Sequence, residues 1–262
     1  MTDPASPDRI AVVEALFSYP VKSCAPVSVT QASLSQSGVE HDRQWTIINE
    51  NGAILTQRDQ ASMSLIQPAV PDASRLVLTA PNMPILSVAI NRKTEIIRLD
   101  LWGTAAHGYD QGDEAAAWLA QYFSHPARLI LNTKPDQASF NDCCPVSVLS
   151  VESLADLNSM LSEPVNMSRF RPSVVISGLG QYAEDTVRQL LGDTLTLQSI
   201  RACARCIVVN VDQETGREDG PEPLRTLLSY RSKGTKAIFG QYFAALDSGQ
   251  LAVGQVLRAV MA

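Results

Sequence analysis

Charge is scarce in this chain. Charged residues make up 18% of the 262, hydrophobic residues 45%, and 21 basic against 27 acidic side chains give a net charge of −6. So much apolar residue supports a sizeable core and excludes a disordered or fibrous protein. A basic surplus or stripe is missing, which excludes the usual charge pattern of a duplex-binding protein. Long hydrophobic runs are missing too: no segment approaches the roughly 20 apolar residues that span a bilayer. The opening Met1-Thr2-Asp3-Pro4 lacks the basic and apolar regions of a signal peptide. Histidine is rare, and His41, His107 and His125 show no H-x-H or H-E-x-x-H spacing, so no histidine metal site is assigned. The G-x-S-x-G of hydrolases and the G-x-G-x-x-G of dinucleotide folds are both absent. Cysteine occurs an odd number of times, five, in a chain too long to depend on a disulfide framework. The expectation is a soluble, cytoplasmic, reduced protein with neither nucleic-acid nor membrane partners.

What is present is chiefly strand signal. Ile10–Phe17 is an apolar, valine-containing run, and Asn51-Gly52 between Trp45–Ile48 and Ile54–Thr56 is a strong hairpin signal. Val77–Leu78, Ile85–Ile90 and Glu95–Leu101 continue as short strands. Helical patterning begins after Gly112, with Asp113 and Glu114 in the first turn, and again after Ser150, with Leu154, Leu157 and Leu161 at helical spacing. Strands are expected at Val174–Ile176, Leu195–Leu197, Cys206–Val211, Ile238–Ala245 and Val253–Val260, with a short helix from Pro223 to Leu228. Trp102 and Trp118 are read as core. Many short strands with few helices define an α+β, β-rich class, a β-barrel or curled sheet with helical inserts.

Cys203-Ala204-Arg205-Cys206 is a lone C-x-x-C. No second pair exists to complete a zinc ribbon, because Cys143 and Cys144 are adjacent. A thioredoxin reading needs a helix after the motif, whereas Ile-Val-Val-Asn-Val follows. Two alternatives stay open: a thiolate stabilised by the neighbouring guanidinium that binds a soft metal, or two small buried hydrophobes. Lys22-Ser23 after the first strand, Arg43 entering a strand and Arg171 before another are each ambiguous alone. Together with Arg205 they would form a local anion site in an acidic protein.

These pieces resemble one family. Tyr19-Pro20-Val21-Lys22-Ser23-Cys24 and Asp42-Arg43-Gln44-Trp45 resemble the N-terminal region of MOSC-domain proteins. Phe170-Arg171-Pro172, Cys203-Ala204-Arg205-Cys206, Pro223-Leu224-Arg225-Thr226-Leu227 and Phe239-Gly240-Gln241-Tyr242-Phe243 resemble the MOSC domain itself. The resemblance runs from about residue 10 to 258, and is nearest to the YcbX-like and mitochondrial amidoxime-reducing branch. It implies a flexible tail (1–8), an N-terminal α/β MOSC subdomain (9–124) and a MOSC β-barrel domain (125–262). It also implies a molybdenum cofactor (Mo-molybdopterin), held between the two, with Cys206 as metal ligand and catalytic residue. Lys22, Ser23, Arg43, Arg171, Ser173, Ala204, Arg205 and Tyr242 fall on cofactor-contact positions. Cys143 and Cys144 stand where relatives can carry hydroxyls, and Ala204 offers only its backbone. At family level the resemblance extends to pyridoxal phosphate binding. The implied activity is reduction of small N-hydroxylated substrates; with no cysteine cluster for iron and sulfur, electrons come from a separate donor protein. The alternative is a cofactor or sulfur carrier without turnover.

Overall fold

The computed structural model describes residues 9–134 and 140–262. The expected tail at 1–8 lies outside the described residues, as does part of the polar loop after Asn132. Seven strands close a barrel: Val146–Ser150, Val174–Ser177, Arg9–Ser18, Val256–Met261, Val187–Leu191, Thr196–Arg205 and Lys236–Ala245, which pairs back to Val146–Ser150. The first two run parallel and are joined by the helix Val151–Met160, as a parallel pair requires a crossover. The other barrel pairings are antiparallel. Alternation fills the barrel with Ala11, Val13, Val148, Val174, Ile176, Phe243 and Leu257. A register shift between Val13 and Ala15 resets the alternation, so Leu16 follows Val13 inward.

The N-terminal portion adds a four-stranded sheet, in the order Trp45–Asn49, Ala127–Asn132, Thr104–Asp110, Ile96–Leu101, and a three-stranded sheet of Gln67–Asp72, Arg75–Thr79 and Leu86–Ala89. The helix Asp113–Phe123 buries Ala115, Trp118, Leu119 and Phe123 against them, the one-face spacing expected of an amphipathic helix. The fold is therefore β-rich α+β, a barrel beside an α/β portion. The portions interleave: Arg9–Ser18 is a barrel strand, and Gly249–Ala252 pairs with Gln31–Ser35.

Two expectations are corrected, and one strand is found that was not expected. Residues after Cys206 form a 3-10 turn, Ile207–Asn210, because the long strand Thr196–Arg205 precedes the motif and ends at it. Val187–Leu191 is a strand that its mixed composition concealed. Trp102 is not core: it is 57% exposed, at a hairpin tip.

Two features bear on stability. Gly240 has φ +81° within Lys236–Ala245, and a Cβ there would lie 2.7 Å from Leu149 Cδ1 and 2.8 Å from the Val148 carbonyl oxygen. Gly240→Ala combines left-handed strain with overpacking and is expected to cost about 2–4 kcal/mol, read as a lowered denaturation midpoint; an unchanged midpoint contradicts this account. The second is buried Glu184, which accepts from Ser153 Oγ at 2.8 and 3.0 Å, while the cap Ser150 Oγ accepts from the Ser153 N–H at 3.0 Å. Burial raises the Glu184 pKa above its ordinary 4.5, with the Ser153 hydrogen bond opposing. The folded chain thus holds this proton more tightly than the unfolded chain. Its stabilisation is present below the ordinary glutamate value and is lost as pH rises through the raised one. As pH rises from the ordinary glutamate value through the raised one, Glu184→Gln should gain melting temperature relative to wild type. A difference independent of pH contradicts the assignment.

Candidate functional site

The interleaving opens a cleft of 460 Å³ between the two portions. Strand Arg9–Ser18 delivers Tyr19–Ser23 to its floor, where the Lys22 N–H donates to the Trp45 carbonyl at 2.8 Å and the Arg43 N–H to the Tyr19 carbonyl at 2.7 Å. Three of the lining residues occupy left-handed backbone: Ser23 (φ 66°), Arg43 (48°) and Arg171 (50°). Non-glycine residues persist there only where surrounding structure fixes them. Nine cationic side chains line the cleft and one carboxylate, Asp142, faces them. Lys22, Arg43 and Arg58 come from the N-terminal portion; Arg169, Arg171, Arg201, Arg205, Lys233 and Lys236 come from the C-terminal one. A protein of net charge −6 has thus concentrated positive charge at one place.

Tyr19 organises the floor. It is buried; its hydroxyl donates to the Pro172 carbonyl at 3.0 Å and Asp42 Oδ1 accepts its N–H at 2.9 Å. Arg43 and Arg171 both lie over its ring, at 4.5 and 4.4 Å from the centroid. Burial pushes the Tyr19 pKa up to about 12, the two guanidiniums opposing, so the ring stays neutral between them. Burial disfavours the Arg43 charge, but the ion pair with Asp42 more than offsets it. Arg171 has no such partner among the described residues, and burial lowers its pKa. Its Nη1 donates to Gln213 at 3.3 Å, while its Nη2 is buried with no partner in the described structure. Arg205 repeats the pattern: Nε and Nη1 donate to the carbonyls of Phe239 and Phe170, both at 2.8 Å, and Nη2 is a buried orphan. Arg171 and Arg205 both line the cleft, and each keeps one guanidinium nitrogen without a partner in the described structure, a donor type suited to an anionic oxygen.

The thiol end lies on the same wall. Cys203 is fully buried, with a pKa pushed up to about 11 by burial, whereas Cys206 is partly exposed and lines the cleft. The sequence reading placed Arg205 beside the Cys206 sulfur. The structure turns Arg205 toward backbone carbonyls, and Arg58 Nη2 contacts Cys206 Sγ instead, at 3.3 Å. Arg58 also lies 3.7 Å from Asp142, which is ion-paired with Lys22 and accepts from Trp102 Nε1 at 2.9 Å. Burial lowers the Lys22 pKa against the pull of Asp142; burial likewise works against the Asp142 carboxylate, but Lys22, Trp102 and Arg58 bring it below its usual range.

Ten of the eleven residues singled out from the sequence line this one cleft: Lys22, Ser23, Arg43, Cys143, Cys144, Arg171, Ala204, Arg205, Cys206 and Tyr242. Ser173 does not. It is buried and bonded to Ser147, whose Oγ accepts its N–H at 3.0 Å, and Ser147 takes the place on the wall. The sulfurs of the adjacent Cys143 and Cys144 lie against each other at the cleft wall, and Arg201 Nη2 lies 2.6 Å from Cys143 Sγ. The reading missed Arg58, Asp142 and Arg201. Arg58 follows the Asn51-Gly52 hairpin and Asp142 ends a polar loop; neither carries a spacing that marks it, and only folding brings them to Cys206. Among the described residues, no group of three or more His, Cys, Asp or Glu side chains is placed to hold a metal ion. Cys206, partly exposed in the cleft, offers a single soft donor.

Residues 10–126 match the family model described as the MOSC N-terminal beta barrel domain, and residues 135–258 match the MOSC domain. The chain belongs to the MOSC-domain family that carries this N-terminal domain. It is 34% identical to mitochondrial amidoxime-reducing component 1 of Mus musculus, over 94% of this chain and 81% of that protein. The Homo sapiens protein of the same name is also 34% identical, over 94% and 82%. Mitochondrial amidoxime reducing component 2 of Bos taurus is 33% identical over the same shares. Among solved structures, the YuaD protein from Bacillus subtilis is similar over 98% of both chains at TM-score 0.50 and 11% identity, a likeness of fold alone.

The anion receptor is testable without any cofactor. Inorganic phosphate should raise the melting temperature; at a hundredfold excess over its dissociation constant the gain is about 2.7 kcal/mol. Arg171→Gln should remove most of that gain, while the exposed Arg188→Gln retains it. Equal gains in both variants would remove the anion assignment.

Proposed function

We propose that this protein is a molybdenum-cofactor-dependent reductase of N-hydroxylated compounds, supplied with electrons by a separate redox protein. The observation that carries the reading is the coincidence, in one cleft, of two buried orphan guanidinium nitrogens on Arg171 and Arg205 with an accessible thiol on Cys206. These residues fit a pterin cofactor that is anionic at its phosphate and presents a soft metal to a thiolate. When bound, such a cofactor supplies the two-electron removal of oxygen from nitrogen. The chain's own contribution is placement. Arg171 and Arg205 hold the anionic group with preformed donors. Cys206 offers its sulfur as a ligand, and the Arg58 N–H contact at 3.3 Å keeps that sulfur oriented. Lys22, bonded to the Phe140 carbonyl at 2.8 Å and paired with Asp142, fixes the carboxylate at the cleft edge. The net reaction consumes two electrons and two protons, cleaves the N–O bond and releases water, so a donor is required at each turnover. The relatives named as amidoxime-reducing components support this chemistry.

The test is metal analysis followed by turnover. Protein from a host that makes the cofactor should carry about one molybdenum per chain and reduce benzamidoxime with a viologen donor. Cys206→Ser should lower turnover by more than about a hundredfold, beyond the effect of changing a group that only supports a ligand. Cys203→Ser, at matched cofactor loading, should leave substantial activity. Molybdenum without turnover would identify a carrier instead, and absence of molybdenum would overturn the reading.

A further inference from the structure

Trp45 and Trp118 are core residues, whereas Trp102 is 57% exposed. It begins the two-residue turn Trp102-Gly103 between Ile96–Leu101 and Thr104–Asp110, with Leu101 opposite Thr104. Both turn residues have positive φ, 55° and 85°. Such turns favour Asn-Gly, and a bulky residue at the first position is strained. The indole is nonetheless fixed. Its Nε1–H donates to Asp142 Oδ1 at 2.9 Å, and the Arg58 guanidinium lies over the ring, Cζ 5.0 Å from the centroid. Both partners line the cleft, and Arg58 also contacts Cys206 Sγ. An exposed aromatic ring oriented by a hydrogen bond and a stacked cation, both from residues that line the cleft, is positioned rather than packed.

We infer that Trp102 and Arg58 form a flat lip that selects planar, conjugated N-hydroxylated substrates over aliphatic ones. The substrate class rests on the reductase reading above. Arg58 covers one face of the indole, and the remaining surface is open for stacking. Indole and guanidinium planes both bind flat delocalised systems better than tetrahedral carbon chains. The nine cationic side chains of the cleft disfavour a cationic substrate.

The experiment compares benzamidoxime, planar and conjugated, with acetamidoxime, small and aliphatic, in cofactor-loaded wild type and variants. Trp102→Ala should raise KM for benzamidoxime about tenfold, the scale of a lost stacking contact, with kcat little changed. Acetamidoxime kcat/KM should move less than about twofold, and Trp102→Phe should recover most of the benzamidoxime affinity. Trp102→Leu, apolar without a ring, replaces the alanine variant if that variant does not fold. Equal losses on both substrates, or none on either, would overturn the lip. An emission titration supplies a readout independent of turnover, since Trp45 and Trp118 are buried. Benzamidoxime should quench wild-type emission more than acetamidoxime does, and Trp102→Phe should abolish the difference. If wild type reduces neither compound, the reductase reading falls, and this titration alone decides the lip. Selective quenching lost in Trp102→Phe upholds the lip; equal or absent quenching overturns it.

Discussion

One phenol ring shared by two guanidiniums holds the site together. Tyr19 follows the first barrel strand, Arg43 leads into the N-terminal sheet and Arg171 precedes a barrel strand, and both arginines lie over the same buried ring. Two cations this close repel one another, so the arrangement needs compensation. Asp42 supplies it for Arg43, and it also accepts the Tyr19 N–H. Arg171 is left with a neutral amide and an orphan nitrogen. The cleft is therefore built under electrostatic tension that an incoming anion would relieve. This tension depends on the interleaved fold, in which the barrel strand Arg9–Ser18 leads into Tyr19 and brings all three residues to one point.

The sequence and the structure agree most closely where physics is local. The Gly112 boundary and Asp113-Glu114 first turn announced the helix Asp113–Phe123, and Ser150 announced its role as cap. Short alternating runs announced strands. Agreement fails where a bulge or a distant partner decides. The shifts between Ser199 and Arg201 and between Ala202 and Ala204 carry Thr196–Arg205 through to the C-x-x-C motif, so what looked like a strand start is a strand end. Arg205 looked like the natural neighbour of Cys206 because it is adjacent in sequence. Its side chain instead satisfies two carbonyls, and the sulfur's partner, Arg58, is 148 residues away. Ser173 faces Ser147 for a similar reason: the parallel pairing of their strands places them side by side beneath the cleft. Trp102 was misplaced because an aromatic residue at a hairpin tip reads as core until the tip is seen to lie at the cleft.

The chemistry divides between the two portions in a way that composition conceals. Averaged over the chain the charge is negative; in the cleft nine cations face one carboxylate. The C-terminal portion supplies the thiol and the orphan guanidinium nitrogens, and the N-terminal portion supplies Lys22, Arg43 and Arg58. Family membership spans both portions, with matches over residues 10–126 and 135–258. The N-terminal portion completes the site: Tyr19 carries Arg171 over its ring, and Arg58 contacts the Cys206 sulfur.

The central claim is that Cys206 meets a metal carried by an anionic cofactor on the Arg171–Arg205 wall. Anomalous diffraction at the molybdenum edge, on crystals of protein from a cofactor-producing host, tests it most directly. The account predicts a single peak in the cleft, bonded to Cys206 Sγ, with cofactor density reaching the guanidiniums of Arg171 and Arg205. A peak at Cys143 or Cys144, or molybdenum located outside the cleft, would contradict it.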